Sequence, residues 1–181
     1  METNKLQFTK LQSEIFNFLS QNVGKEINQS LIAKELKYSP TAIAKALVYL
    51  EKENIATVKR DKLMNLNLIQ LNRENQKVIQ LKRAENLKSL YESGILEELE
   101  NQFLGSTIIL FGSYSKGEDT ITSDIDIAII GRKEKEHDLS KFEKILKKEI
   151  VLNFYPSFKE IHKDLKDSLC NGIVLSGGII L

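Results

Sequence analysis

The chain has 181 residues, 41% of them hydrophobic and 28% charged, enough apolar material for one large core or two small ones. Its 26 basic and 25 acidic residues leave it nearly neutral, so overall charge gives no argument for a polyanionic partner. One cysteine, Cys170, excludes an internal disulfide, two distant histidines, His137 and His162, cannot make a zinc cluster, and neither a membrane-length apolar run nor a leader-like start is present, so a cytoplasmic protein without a membrane partner is expected.

Phe8, Leu11, Ile15, Phe16, Phe18 and Leu19 recur at helical spacing and predict a first helix with one buried face, closed at Gly24. Asn28 or Ser30 offers a cap for a second helix over Leu31 to Leu36. Ser39 and Pro40 give the cap and first-turn proline of a third, which runs from Thr41 to about Asn54. In it Ile43, Ala46, Leu47 and Leu50 form the inward stripe and leave Thr41, Lys45, Val48, Tyr49 and Lys52 outside. Two strands follow, Ile55 to Val58 and Leu63 to Ile69, around a charged tip, Lys59-Arg60-Asp61-Lys62.

Two helices about a tight turn, followed by a hairpin, resemble a winged helix-turn-helix domain over residues 6–72. Such modules commonly lay the outer helix in the major groove of DNA. The resemblance implies DNA contacts from Thr41, Lys45, Tyr49 and Lys52 on the helix and Lys59, Arg60 and Lys62 on the wing, the lysines and arginine neutralising phosphates. Residues 1–72 hold 10 Lys or Arg against 7 Asp or Glu, whereas residues 105–181 hold 11 against 12, so the positive excess lies in this first third. Winged helices also serve as dimer or protein-docking modules, and this outer face lacks arginine.

Residues 73–104 read as a charged helical connector broken near Ser93-Gly94. Val78, Ile79, Leu81, Leu87, Leu90, Tyr91, Ile95 and Leu99 would pack it, and its lysines and glutamates read as a solvated face. The part from Lys82-Arg83 to Leu99 is expected to precede the first strand of the next domain, residues 105–181.

There the apolar run Ile108 to Phe111 predicts a buried strand that breaks at Gly112-Ser113. After Gly117 the chain resumes as Asp124-Ile125-Asp126-Ile127-Ala128-Ile129-Ile130. Alternation on a strand sends the isoleucines into a core and turns Asp124 and Asp126 out of it, roughly 6.5 Å apart along the backbone. Two carboxylates so placed can share a magnesium ion, whose remaining positions suit water and phosphate oxygens. Gly112 would let a phosphate approach the backbone, Ser113 would add a hydroxyl donor, and Lys116 is a further cation on the short segment that follows. A P-loop is excluded: Gly112 and Gly117 have its spacing, but Glu118-Asp119 stands where Lys and Ser or Thr are needed.

A hydrophobic strand, Gly112-Ser113 and then Ser123-Asp124-Ile125-Asp126 on the next strand resemble the DNA polymerase β-like nucleotidyltransferase fold, and within it the minimal nucleotidyltransferases. The resemblance implies an α+β chain: a winged helix-turn-helix, a connector, and a transferase domain with a small mixed sheet flanked by helices. It implies one or two Mg²⁺ ions on Asp124 and Asp126, and an NTP, ATP in the first place, held by Gly112, Ser113, Lys116 and Ser123. The activity it implies is transfer of a nucleoside monophosphate to a protein, RNA or small-molecule hydroxyl; small members often modify a partner protein.

Beyond these motifs lie a charged loop, Gly131 to His137, and a helix from Leu139 to Lys148 with Phe142, Ile145 and Leu146 inward. A third strand, Glu149 to Tyr155, a helix from about Ser157 to Leu169 and a terminal apolar run complete the chain. The family's third carboxylate belongs on that third strand between hydrophobic residues, and the position that fits is Asn153, an amide. The departure leaves a second reading open: a weakened or inactive transferase-like domain that senses a nucleotide in a DNA-binding transcriptional regulator.

Overall fold

In the computed structural model, which describes residues 7–61, 66–135 and 137–179, Thr9 and Gln12 close a reciprocal capping box at the start of α1 (Lys10–Gln21). The Asn28 side chain accepts from Leu31 N at 2.8 Å and so starts α2 (Gln29–Leu36) directly after a two-residue strand, β1 (Ile27–Asn28). Ser39 caps α3 (Pro40–Lys52), with Pro40 in its first turn where the missing N–H costs nothing. Strands β2 (Ala56–Asp61) and β3 (Leu66–Leu71) then form an antiparallel pair, and β1 adds to β3, giving the order β1-β3-β2.

This helix-strand-helix-helix-strand-strand order is a winged helix-turn-helix. Ile15, Ile32, Ile43, Leu50, Ile55 and Ile69 are fully buried at its centre, each side chain stabilising the fold by about 1.5–3 kcal/mol on transfer from water. One strand is new and one expectation changes. The strand β1 carries no periodicity of its own and exists because Ile27 pairs with Ile69. Lys59 and Arg60 do not form a tip: they lie inside β2, paired with Leu68 and Asn67. Lys62 lies outside the described residues.

The chain divides into two compact units, one ending at Val78 and one starting at Ile79. The second unit holds most of α4 (Gln76–Glu92), then α5 (Ile95–Gln102), β4 (Thr107–Phe111), α6 (Gly112–Lys116), β5 (Ile125–Ile130), α7 (Ser140–Leu146), β6 (Ile150–Tyr155), a 3-10 turn (Phe158–Glu160), α8 (Lys163–Cys170) and β7 (Ile173–Ser176). Its sheet has the order β6-β5-β4-β7. The pair β5/β6 is parallel and the others are antiparallel; α7 supplies the crossover that a parallel pair requires.

Both faces of this sheet are covered. Ile108, Leu110, Ile125, Ile127 and Ile129 pack under Leu90, Ile95, Leu99, Phe103 and Phe142. On the other face Ile109, Phe111, Ala128 and Ile130 pack with Phe158, Ile161 and Leu169. The first part of the terminal apolar run, Ile173 to Leu175, is thus part of the sheet, in β7; Ile180 and Leu181 lie outside the described residues. The segment expected as one helix from Ser157 is a 3-10 turn followed by α8. Of Phe142, Ile145 and Leu146, all expected inward, Phe142 is buried and Leu146 half-buried, whereas Ile145 is 54% exposed.

The largest departure is in α4. Its buried stripe, four residues apart, is Val78, Lys82, Asn86 and Leu90, so the connector's lysines are not all solvated: Lys82 is 1% exposed.

Candidate functional site

The ladder between β4 and β5 pairs Phe111 with Asp126, so the residue after Phe111 must turn beside that aspartate. Gly112 does so with φ +73°, in the left-handed region that glycine alone enters at little cost. A Cβ at Gly112 would stand 3.1 Å from Asp126 Cγ and nearer still to Oδ2. The glycine is required twice, by its dihedral and by the carboxylate packed against it.

From this bend α6 runs a little more than one turn. Its N-terminus has no side-chain cap, and its far end closes at Gly117, φ +76°, with Glu118 N donating to Ser113 O at 3.0 Å. Ser113 is half-buried, Lys116 is exposed, and Ser115 is buried with its hydroxyl on Gly112 O at 2.8 Å. Tyr114 is buried beneath them. Burial first, then the charges of Asp119 and Glu85, push its hydroxyl well above the usual tyrosine range.

The loop back to β5 is held by its own side chains. Ser123 Oγ accepts from Thr120 N at 2.9 Å, so this serine shapes the turn before the acidic pair. Asp124 stands one residue before the strand begins and is exposed; Ile125 N, next to it, donates to Glu149 O at 2.9 Å. Asp126 is on the strand and half-buried. Desolvation, and secondly the charge of Asp124, raise its carboxyl above the ordinary range. It shares its sheet face with Ala128 and Ile130, so the outward face foreseen for the acidic pair is open only at its first residues, and apolar beyond.

The strand beside it is β6, and the register sets Val151 against Asp126 and Asn153 against Ala128. Asn153 therefore lies one pleat further along the same face. Among the described residues no group of three His, Cys, Asp or Glu side chains could hold a metal. The chemistry of the pair itself fits a hard divalent cation: two carboxylates, one with its ionised form disfavoured by burial and by its neighbour, gain from a cation that neutralises both.

On the winged helix, Thr41, Lys45, Lys52, Lys59 and Arg60 are exposed and Tyr49 is half-buried, around Val48 at 67% exposure. The inward stripe of α3 is buried as its periodicity requires.

Missed by the sequence reading is a buried polar cluster behind the loop. Asp119, 1% exposed, accepts from Asn86 Nδ2 at 2.7 Å and pairs with Lys82 and, at 3.2 Å, with Lys148. The available signal was the four-residue spacing of Val78, Lys82, Asn86 and Leu90, which puts two polar residues inside an apolar stripe.

The family model described as Nucleotidyltransferase domain matches residues 92–174. The second unit of this chain is accordingly a nucleotidyltransferase domain, carried behind a winged helix-turn-helix. No curated protein matches the chain. Among solved structures, Lactococcus lactis ZitR, a zinc-responsive MarR family member, is 24% identical, with 57% of this chain and 68% of that one covered and a TM-score of 0.38. An S. aureus MepR–DNA complex is 19% identical over 52% of this chain and 73% of that one, with a TM-score of 0.39. TM-scores this low leave the winged-helix assignment to the chain's own topology. No helix among the described residues is long and apolar enough to cross a membrane.

Proposed function

We propose that the second unit transfers a nucleoside monophosphate from a magnesium-bound NTP, ATP in the first place, to a hydroxyl on a protein, an RNA or a small molecule. The observation that carries this reading is the contact of Gly112 with Asp126: the bend and the acidic pair form one locus. The uncapped amides at the start of α6 and the Ser113 hydroxyl are donors for the terminal phosphates, with Lys116 free to swing toward them. Asp124 and Asp126 hold the cation. When bound, it offsets the triphosphate charge and polarises the α-phosphoryl group.

The acceptor oxygen forms a bond to the α-phosphorus in line as the bridging oxygen to the β-phosphorus leaves with pyrophosphate. Positioning and charge neutralisation supply most of such a rate enhancement. General-base help, worth typically ~10²–10⁴, would come in other members from a third acid. Here Asn153 can hold the acceptor through its amide oxygen but cannot take its proton, so slow turnover is expected. Transfer of α-labelled nucleotide to lysate fractions, which would include a modified protein partner, tests the reading. Asp124→Asn/Asp126→Asn must abolish it, and undiminished transfer by that variant would remove the proposal.

A second reading is favoured by the same strand: with Val151 and Asn153 where a third acid would stand, the domain would bind a nucleotide as a signal and the winged helix would bind DNA. It requires duplex affinity that changes with Mg·ATP and falls steeply with salt. A chain that binds no duplex at low salt would rule it out.

A further inference from the structure

Three tethers converge on the loop between the Gly112 bend and Asp124. Asn86 Nδ2 donates to Tyr114 O at 2.9 Å, and Lys148 Nζ donates to Thr120 O at 2.6 Å and to Ser123 O at 3.1 Å. All are drawn in by Asp119, whose Oδ1 takes Lys82 and Asn86 and whose Oδ2 takes Lys148. The side chain of Lys148 is 8% exposed and those of Lys82 and Asp119 are 2% and 1%. Gly117 closes the assembly: a Cβ there would lie 2.5 Å from Ile79 O and 2.7 Å from Arg83 N, so the loop rests on the bare backbone of α4.

Buried ion pairs add little net stability compared with packed apolar side chains of equal volume. What ammonium groups provide here is direction, because each donor is aimed at a particular carbonyl. Two lysines meet one carboxylate, and Lys148 extends from it to the Thr120 carbonyl and to that of Ser123, the residue just before Asp124. We propose that Lys148, seated on the Lys82–Asp119–Asn86 cluster, is a positioning residue that holds the loop so that Asp124 joins Asp126 beside the bend. It touches neither nucleotide nor cation, and its role rests on the nucleotidyltransferase reading. Lys82 and Asn86 lie ahead of residues 92–174, so the domain's working part begins earlier than the family match.

Lys148→Met tests this without creating an orphan charge, since Lys82 and Asp119 still neutralise each other. Lys148→Arg keeps donors for both carbonyls, and exposed Lys144→Met is the control. Two readouts are taken on the full chain: amide hydrogen exchange of residues 118–124 against β4 and β5, and binding of Mn²⁺ with ATP followed by electron paramagnetic resonance. The expected result is faster exchange confined to the loop and Mn²⁺·ATP affinity lower by about 10- to 100-fold, with both recovered in part by Lys148→Arg. Lys148→Gln, which also leaves Lys82 and Asp119 to neutralise each other and falls short of both carbonyls, should loosen the same loop and serves if Lys148→Met does not fold. Unchanged loop exchange, or wild-type affinity with a loosened loop, overturns the positioning role while leaving the transferase reading intact. A wild-type chain that takes up no Mn²⁺·ATP overturns both.

Discussion

Gly112 and Asp126 are packed so closely that no side chain fits between them: a Cβ on the glycine would stand 3.1 Å from the aspartate's Cγ, at a backbone φ of +73°. Under the proposed reading, a phosphate at the bend would lie beside the acidic pair as well, and a cation between them would resolve the charge conflict.

Gly112→Ala should spare the fold and damage the site. The left-handed conformation costs an alanine roughly 1–2 kcal/mol, and the methyl group displaces the Asp126 carboxylate, a side chain that can rotate away. Mn²⁺·ATP affinity should drop by at least about tenfold with only a modest fall in Tm. At Gly117 the obstacle is the backbone of α4, which cannot yield, so Gly117→Ala should cost more, about 2–4 kcal/mol, and show in a denaturant melt.

Asp126 should make the metal-free protein less stable at neutral pH. Its carboxyl is raised in the folded state by burial and by Asp124, so its favourable contribution is full below the unfolded carboxylate value and is lost as pH rises through the folded one. Asp126→Asn should thus raise Tm at pH 7, and the gain should vanish below about pH 4. Magnesium should raise Tm for wild type and not for the variant; equal responses in thermal melts would contradict the ligand role.

The register makes a further distinction. Val151 stands directly across from Asp126, whereas Asn153 stands across from Ala128. Val151→Asp should create a third carboxylate within reach of the same cation, lower Tm in chelator, and tighten Mn²⁺ binding more than Asn153→Asp. Calorimetry on the two variants decides the order.

If the winged helix binds duplex DNA, exposed Lys45 and Lys59 contribute as phosphate contacts. Each change to Ala should then reduce the slope of log K against log salt by about 0.9 with little dependence on sequence. Fluorescence anisotropy over a salt series measures this directly, and slopes equal to wild type would place the DNA surface elsewhere.

Much of this was legible in one dimension because the signals are local. Capping residues Asn28 and Ser39 act on amides three residues away, and the stripe Ile43, Ala46, Leu47 and Leu50 follows from helical pitch alone. The bend at Gly112 and the alternation through Asp126 are local too. β1 and β7 were not legible, since a two-residue and a four-residue strand exist only through the partners that pair with them. Nor was the burial of Lys82, because a lysine on a helix reads as solvated until its partner, 37 residues away, is brought against it.

By itself the sequence determined the type and order of the main elements, the glycine-serine bend and the acidic pair, since backbone preference and side-chain period need no distant contact. Only the tertiary structure decided that Gly112 abuts Asp126, that Val151 is its neighbour on β6, and that a buried Lys82–Asp119–Lys148 cluster secures the intervening loop. Those are relations between residues far apart along the chain, set by strand register and by the requirement that buried charges meet opposite charges.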